Sequence, residues 1–487
     1  MTSFSPFRWA SLWICLVLWV NLADAQVEFR AIGGPGLEQG KVVVPHAEGA
    51  FLVGVSKLPN SDVVRGYIAH FDEAFEHEWS TLLPYGDPIE LVVDAWQDEP
   101  GVAAVLTQRL DVLEGYQAAI HRVDDSGLWL GSVEPLVQGG FRPARHVEWL
   151  GNSWIVGTRS GHPAAYNLDD DEWLEWGDAP GTYDQIHDAT VGDNLLIAVG
   201  SRTDVDTMHT AIWGVYPLGQ LAFEHIEPAN DSSLWSQADG IATTPESVLV
   251  LQTYAVDNPN SSDPHVVHNF LGVNTNNGDV GAFYGPTTGQ RPGRDIASTP
   301  QGALILAQSD GNDNPPQGFR LSHVSNLGAF VSLGIWGTDF EDDPGRISVG
   351  ENGSVWVAGS TRGTLDGSWN ACVLRLDSLG PLGQWYGDSP GFGVTSDPLF
   401  GTLASVDDEK PWSGWRLSPN PAREGTRLQA QGIEDLAVEW RIVAMDGREC
   451  SRGSGFDVPL HGIPAGRHVV EIGSSTRRVA LPLIVVD

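Results

Sequence analysis

The chain has 487 residues, with 27 lysines and arginines against 63 aspartates and glutamates, for a formal charge of −36. So acidic a protein is repelled by nucleic acid and by anionic membrane, which makes both poor partners; no nucleic acid partner is expected. Its length suffices for a large core and more than one domain, while three cysteines (Cys15, Cys372 and Cys450) exclude a disulfide scaffold.

Residues 1–25 have a weakly positive start at Arg8, an apolar run from Ala10 to Val20, and small residues at Ala23 and Ala25 ahead of Gln26. That is the layout of a secretory signal peptide, with cleavage expected between Ala25 and Gln26. No later segment approaches the ~18–20 apolar residues of a membrane span, so an exported protein without a span is expected.

From Gln26 to about residue 390 one pattern recurs. A short apolar strand appears as AFLVGVS (50–56), VAAVLTQ (102–108), SWIVGTR (153–159), LLIAVGS (195–201), SVLVLQT (247–253), ALILAQS (303–309) and SVWVAGS (354–360). A polar loop, a further strand and a turn follow each copy, and a third element ending in a turn precedes it. Three to four strands per repeat, with Gly, Asp and Asn at the turns, is the requirement of a β-propeller blade. Seven copies predict about seven blades, and the early strand VEFRAI (27–32) is placed to complete the last. Closing the ring lets neighbouring blades bury one another's faces and protects strand edges. Trp79, Trp129, Trp173, Trp176 and Trp385 follow the second strand of their repeats, where a flat side chain can fill the gap between blades. In this the repeats are similar to quinoprotein-type and related surface propellers, a likeness of blade pattern and not of any enzyme.

Candidate chemistry is sparse. DDSGLWL (124–130) is one residue short of the Asp-box of sialidase propellers and lacks its serine, so it reads as a turn. The histidines form no HExxH or other metal-ligand set, and His70 and His323 sit at blade positions that are polar elsewhere (Arg122, Asn167, Arg375). No cofactor is implied. Acidic loops at 167–173, 310–314 and 339–343 leave calcium open, although none has EF-hand spacing. The innermost strand of each blade lines the channel, so its polar residues converge. His146, Asp188, Asp239, Asp295 and Arg346 are the expected ring of charge and the candidate binding residues.

Residues 391–411, rich in Gly, Ser, Pro and Asp, read as a linker. Beyond it, residues 412–487 carry nine acidic and nine basic residues, so the charge excess lies upstream. Pro419 and Pro421 flank Asn420 and hold the chain extended. Val438, Trp440, Ile442 and Ala444 alternate with Glu439, Arg441 and Val443, as a half-buried strand does. Asp446-Gly447 and Pro464-Ala465-Gly466 make turns, the second leading into HVVEI, and an apolar strand ends the chain. In this order the motifs resemble the type A C-terminal sorting domain of the type IX secretion system of Bacteroidota. The resemblance covers about 75 residues. It implies a small Ig-like β-sandwich recognised by an outer-membrane translocon, removal by a sortase-like peptidase, and release or attachment at the cell surface.

The expectation is therefore an all-β protein, a β-propeller of about seven blades followed by a small β-sandwich. Its reading is a secreted or cell-surface binding or adhesion protein whose ligand is a glycan or a protein. The alternative of another class is a secreted glycan-acting hydrolase with carboxylates at the channel mouth, which would need two carboxyl groups about 5–10 Å apart in a cleft. A charge-compensated channel favours binding. A third possibility is a structural surface-layer component, which would self-associate without a ligand.

Overall fold

The computed structural model describes residues 27–376, less a short segment in most of the connections between strands, and beyond them the strands at 396–398 and between 416 and 486. Residues 27–376 form seven antiparallel sheets in sequence order, six of them built of four strands laid side by side as the chain supplies them. Blades 1 to 6 span residues 37–82, 90–133, 141–175, 182–227, 233–283 and 293–336. Blade 7 takes three strands from residues 342–376 and its fourth from the other end of the chain: Val27–Gly33 lies antiparallel to Asn370–Leu376, with Ile32 opposite Ala371. The expected completion of the last blade by VEFRAI is thus present, and the count is seven.

The seven apolar runs of the sequence are the second strands of the seven blades. Gly49–Lys57 is buried at every residue but its last, and Val355–Thr361 throughout. Such strands face a neighbouring blade on both sides, so they read as continuous apolar runs and not as alternation. The hydrophobic clusters lie between blades. One joins Trp149, Trp154 and Val156 of blade 3 to Leu196, Ala198 and Trp213 of blade 4; another joins Leu304 and Phe319 of blade 6 to Val357 and Leu374 of blade 7. A third seals the ring, packing Ile32, Trp356 and Val373 against Val43, Leu52 and Phe71 of blade 1. Trp79 and Trp176 behave as expected of blade fillers. The Trp79 indole donates to the Asp125 carbonyl of the next blade at 2.7 Å, and Trp176 is buried among residues of blades 3 and 4. Trp385 lies outside the described residues.

The innermost strands carry a feature that no strand pattern announces. Every one has a β-bulge at the same place, inserting Lys41, Val93, Ala144, His187, Asp239 or Arg294, or the pair Gly345–Arg346 opposite a single residue. A bulge swells the backbone toward the second strand. Gly200 accommodates this in blade 4, where a Cβ would stand 1.9 Å from the Gln185 carbonyl oxygen.

Two findings modify the expected domain limits. Residues 396–398, inside the stretch read as linker, pair parallel with Val27–Gly33 and extend blade 7 to five strands. The second compact unit centres on residues 401–487. It has a three-stranded and a five-stranded sheet, as a small sandwich requires. Within it Trp440 and Ile442 are buried and Arg441 between them is half-buried, matching the predicted alternation. Pro464 is exposed ahead of the strand Gly466–Ser474. Pro419, Asn420, Pro421, Asp446, Gly447 and Ala465 lie outside the described residues, as do Ala25 and Gln26. Cys372 is a buried free thiol. Among the described residues no helix is long and apolar enough to cross a membrane.

Candidate functional site in the central channel

The bulge decides which side chains reach the propeller axis. The residue after it is Val42, Asp94, Arg145, Asp188, Gly240 and Asp295 in blades 1 to 6, and in blade 7 its place is taken by Arg346, the second residue of the inserted pair. Three aspartates in the even blades thus face two arginines in the odd ones. Each aspartate accepts a backbone N–H from the next blade: Asp94 from His146 at 2.9 Å, Asp188 from Ile241 at 3.0 Å, and Asp295 from Ile347 at 2.9 Å. The acceptor is always the residue after the bulge, and the donor is always the residue that follows its equivalent one blade on. Asp94, Asp188 and Asp295 are only 3–4% exposed, so an unpaired charge there would be costly.

The arginines compensate them. Arg145 lies 3.5 Å from both Asp94 and Asp188, bridging its two neighbours. Arg346 reaches over the axis from blade 7, donating to Asp94 Oδ1 at 2.9 Å and to the Ala144 carbonyl at 3.2 Å. Burial opposes the charge of Arg145, but Asp94, Asp188 and Asp295 outweigh it and raise the guanidinium pKa. Burial pushes Asp295 up to about 6, countered by Arg346 and reinforced by Asp188. With Asp295 ionised, three carboxylates meet two guanidiniums; when it takes a proton, the five groups balance.

Of the five residues expected here, Asp188, Asp295 and Arg346 are in the cluster. His146 is not: its backbone N–H donates to Asp94, but its ring stacks on Trp96 with centroids 3.8 Å apart and its Nε2 lies 2.6 Å from Ser153 Oγ. Asp239 is the inserted bulge residue of blade 5, so it points elsewhere, accepting from Gln237 at 2.6 Å; burial pushes it up to about 6. Asp94 and Arg145 are members that the sequence reading missed.

A second tier of buried acids anchors the starts of the innermost strands. Glu38 accepts from Ser56, Asp184 receives both Nε and Nη2 of Arg202 at 2.6 and 2.8 Å, and Asp342 accepts from Thr338 at 3.0 Å. In blade 2, Glu90 Oε1 lies 2.9 Å from His121 Nε2 and accepts from Thr107 at 2.8 Å. Burial works against the Glu90 charge; His121, Thr107 and Arg109 outweigh it and hold the carboxyl below its ordinary range.

The other sequence candidates resolve as local structure. Leu128 N–H donates to Asp124 Oδ1 at 2.8 Å, with Gly127 at φ 78°, which makes DDSGLWL a tight turn. His70 is buried in a stack between His46 and Trp79, its Nδ1 2.9 Å from Glu78. In the 167–173 loop the carboxylates serve the protein's own donors: Asp169 takes Ser153 N–H, Asp170 the Asn152 and Asn167 amides, and Asp171 the Tyr166 hydroxyl. Glu341, Asp342 and Asp343 are bound by Arg362, Thr338 and Arg294. Among the described residues no group of three or more metal-ligating side chains is gathered as a metal ion would need, and the 310–314 loop lies outside them.

No protein-family model matches the sequence, and no curated protein does. Among solved structures the chain is similar to YCF48 from Cyanidioschyzon merolae, with 11% identity, a TM-score of 0.40, and coverage of 72% of this chain and 98% of that one. It is also similar to extracellular domains 1-2 of Drosophila Semaphorin 1a, with 7% identity, a TM-score of 0.42, and coverage of 71% and 88%. The β-propeller domain of the Trilobed protease from Pyrococcus furiosus gives 10% identity, a TM-score of 0.38, and coverage of 66% and 89%. At these values the likeness transfers no function, and the propeller rests on the strand pairing of this chain itself.

Proposed function

We propose that this protein is a secreted, cell-surface β-propeller that acts as a binding module, exported by a type IX route through its C-terminal domain. The observation that supports binding over glycan hydrolysis is the compensated channel. A hydrolase needs carboxyl groups free to exchange protons with substrate and water. Here Asp94, Asp188 and Asp295 each hold a backbone N–H of the next blade, and two arginines lie among them. The cluster ties the ring together and leaves recognition to the surfaces around it.

The export reading rests on the leader-like residues 1–25 and on the ordered tail motifs of residues 412–487. The test compares intact mass and location in the native host for the full chain and for a form truncated after Asp408. The full chain is expected outside the cell without its tail, and the truncated form in the periplasm. Normal export of the truncated form would refute the sorting role.

A further inference from the structure

The seven blades provide an internal comparison. One position on the third strand pairs with the second-strand residue that lies two before the partner of the post-bulge residue (Phe51, Trp154, Ile197, Leu249 and Leu304 in blades 1, 3, 4, 5 and 6), and pairs on its other side with the fourth strand. In blade 1 this pair is His70 with Trp79, in blade 3 Asn167 with Glu172, in blade 4 Gly214 with Phe223, and in blade 6 His323 with Val331. In blade 5 it is Gly272 with Gly281. Where blades 1, 3, 4 and 6 place at least one side chain, blade 5 has bare backbone, and a Cβ at Gly281 would meet nothing within 4 Å.

A cleft of about 490 Å³ opens over this pair. That lies in the range of small-ligand sites, roughly 300–1,000 Å³. Its walls come from three blades: Gly192 and Asp193 from a turn of blade 4, Thr243, Thr244, Ser247, Asn274, Thr275 and Asp279 from the two turns of blade 5, and Asn326 from blade 6. Among the described residues no lysine, arginine, histidine or aromatic residue lines it. Asp193 is already oriented by the Thr275 hydroxyl, and a carboxylate has room for further donors. Asn326 Oδ1 is buried with no hydrogen-bond partner among the described residues, an acceptor awaiting a donor.

We propose that this cleft binds a neutral saccharide. Two carboxylates exclude anions. The lining of hydroxyls (Thr243, Thr244, Ser247, Thr275) and amides (Asn274, Asn326) both donates and accepts, which suits sugar hydroxyls that do the same. A cation would call only for acceptors. Pro245, Val248 and Val273 supply apolar surface for the C–H face of a sugar ring. The inference rests on the reading of the propeller as a binding module. It can fail alone, because location and tail processing do not depend on it.

The test is calorimetric titration of the full chain with cellobiose, maltose and lactose, and with spermidine and calcium chloride as cationic probes. Gly281→Trp restores the filler that blade 1 carries at Trp79 and closes the cleft from its open side; Asn326→Ala removes the orphan acceptor. At least one disaccharide is expected to bind the wild type, with Asn326→Ala about tenfold weaker, a free-energy difference of about 1.4 kcal/mol, and Gly281→Trp silent at an unchanged melting temperature. The proposal is overturned if no disaccharide binds at about 50 mM, a Kd far outside useful recognition. It is equally overturned if only the cations bind, or if Gly281→Trp binds as the wild type does.

Discussion

Replacing Asp94 by alanine tests whether the axial cluster holds the ring together. Asp94 accepts the His146 N–H of blade 3 and the Arg346 guanidinium of blade 7, with Arg145 3.5 Å away. Truncation orphans a buried N–H, at about 1–3 kcal/mol. It also leaves two guanidiniums facing one compensating carboxylate fewer, and breaking a buried ion pair from one side costs about 3–5 kcal/mol in all. The two effects overlap, so we expect a loss of about 3–5 kcal/mol, or roughly 5–10 °C in a domain of this size. Asp94→Asn keeps an acceptor for His146 and should fall between. Urea unfolding supplies the free energies, and a double-mutant cycle with Arg346→Ala isolates the pair. Removing both partners should recover more than about 1 kcal/mol relative to the sum of the single losses. A loss below about 1 kcal/mol for Asp94→Ala, or additivity within about 0.5 kcal/mol, would refute the argument.

Three further outcomes follow from the same geometry. Burial holds Asp295 near 6 against an ordinary 3.8, so the native state keeps a proton that the unfolded chain gives up, and stability from this group falls as pH rises from about 4 to 6. Asp295→Asn should therefore gain on the wild type across that window and level off above it, by at most on the order of 3 kcal/mol; paired melts at pH 4.5 and 7 that show the same difference would sink the claim. Gly200→Ala puts a methyl into the Gln185 carbonyl of the bulge and should cost about 1–3 kcal/mol in urea unfolding; a neutral result would mean the bulge yields freely. Ile32→Asp places a charge in the fully buried seam between blades 7 and 1, and should open the ring, seen as lost thermal cooperativity and self-association on a sizing column; a monomer melting like the wild type would contradict it.

The apolar second strands were legible because burial on both faces writes a run that no solvent-facing strand can imitate, as in AFLVGVS. The closing strand was legible for a similar reason, since Ala31 and Ile32 needed a partner outside their own repeat. The channel was legible only in part. Side chains alternate faces along a strand, so one inserted residue reverses the assignment of all that follow. Reading across the repeats without the bulge lands one residue late in blade 3, at His146 in place of Arg145, and on the inserted residue itself in blade 5, at Asp239. Asp188, Asp295 and Arg346 fell within the cluster because the reading met the bulge in step there. The bulge had no sequence signature of its own: its inserted residues range from Lys41 through Val93 to Arg294. The cleft in blade 5 was hidden differently, since Gly272 and Gly281 matter only once they are known to face each other.

The strand Val27–Gly33 is gripped on one edge by Asn370–Leu376 and on the other by residues 396–398. The first segment of the propeller to leave the ribosome is therefore the one that waits longest for its partners, and the loop to be closed is nearly the whole domain. Six blades can pair strand by strand as they emerge, while the seventh stays a half-built edge until the end. A chain in that state is extended at its front and cohesive behind. The ring then shuts with both ends of the propeller in the same sheet, and unfolding has to begin by prising that sheet apart.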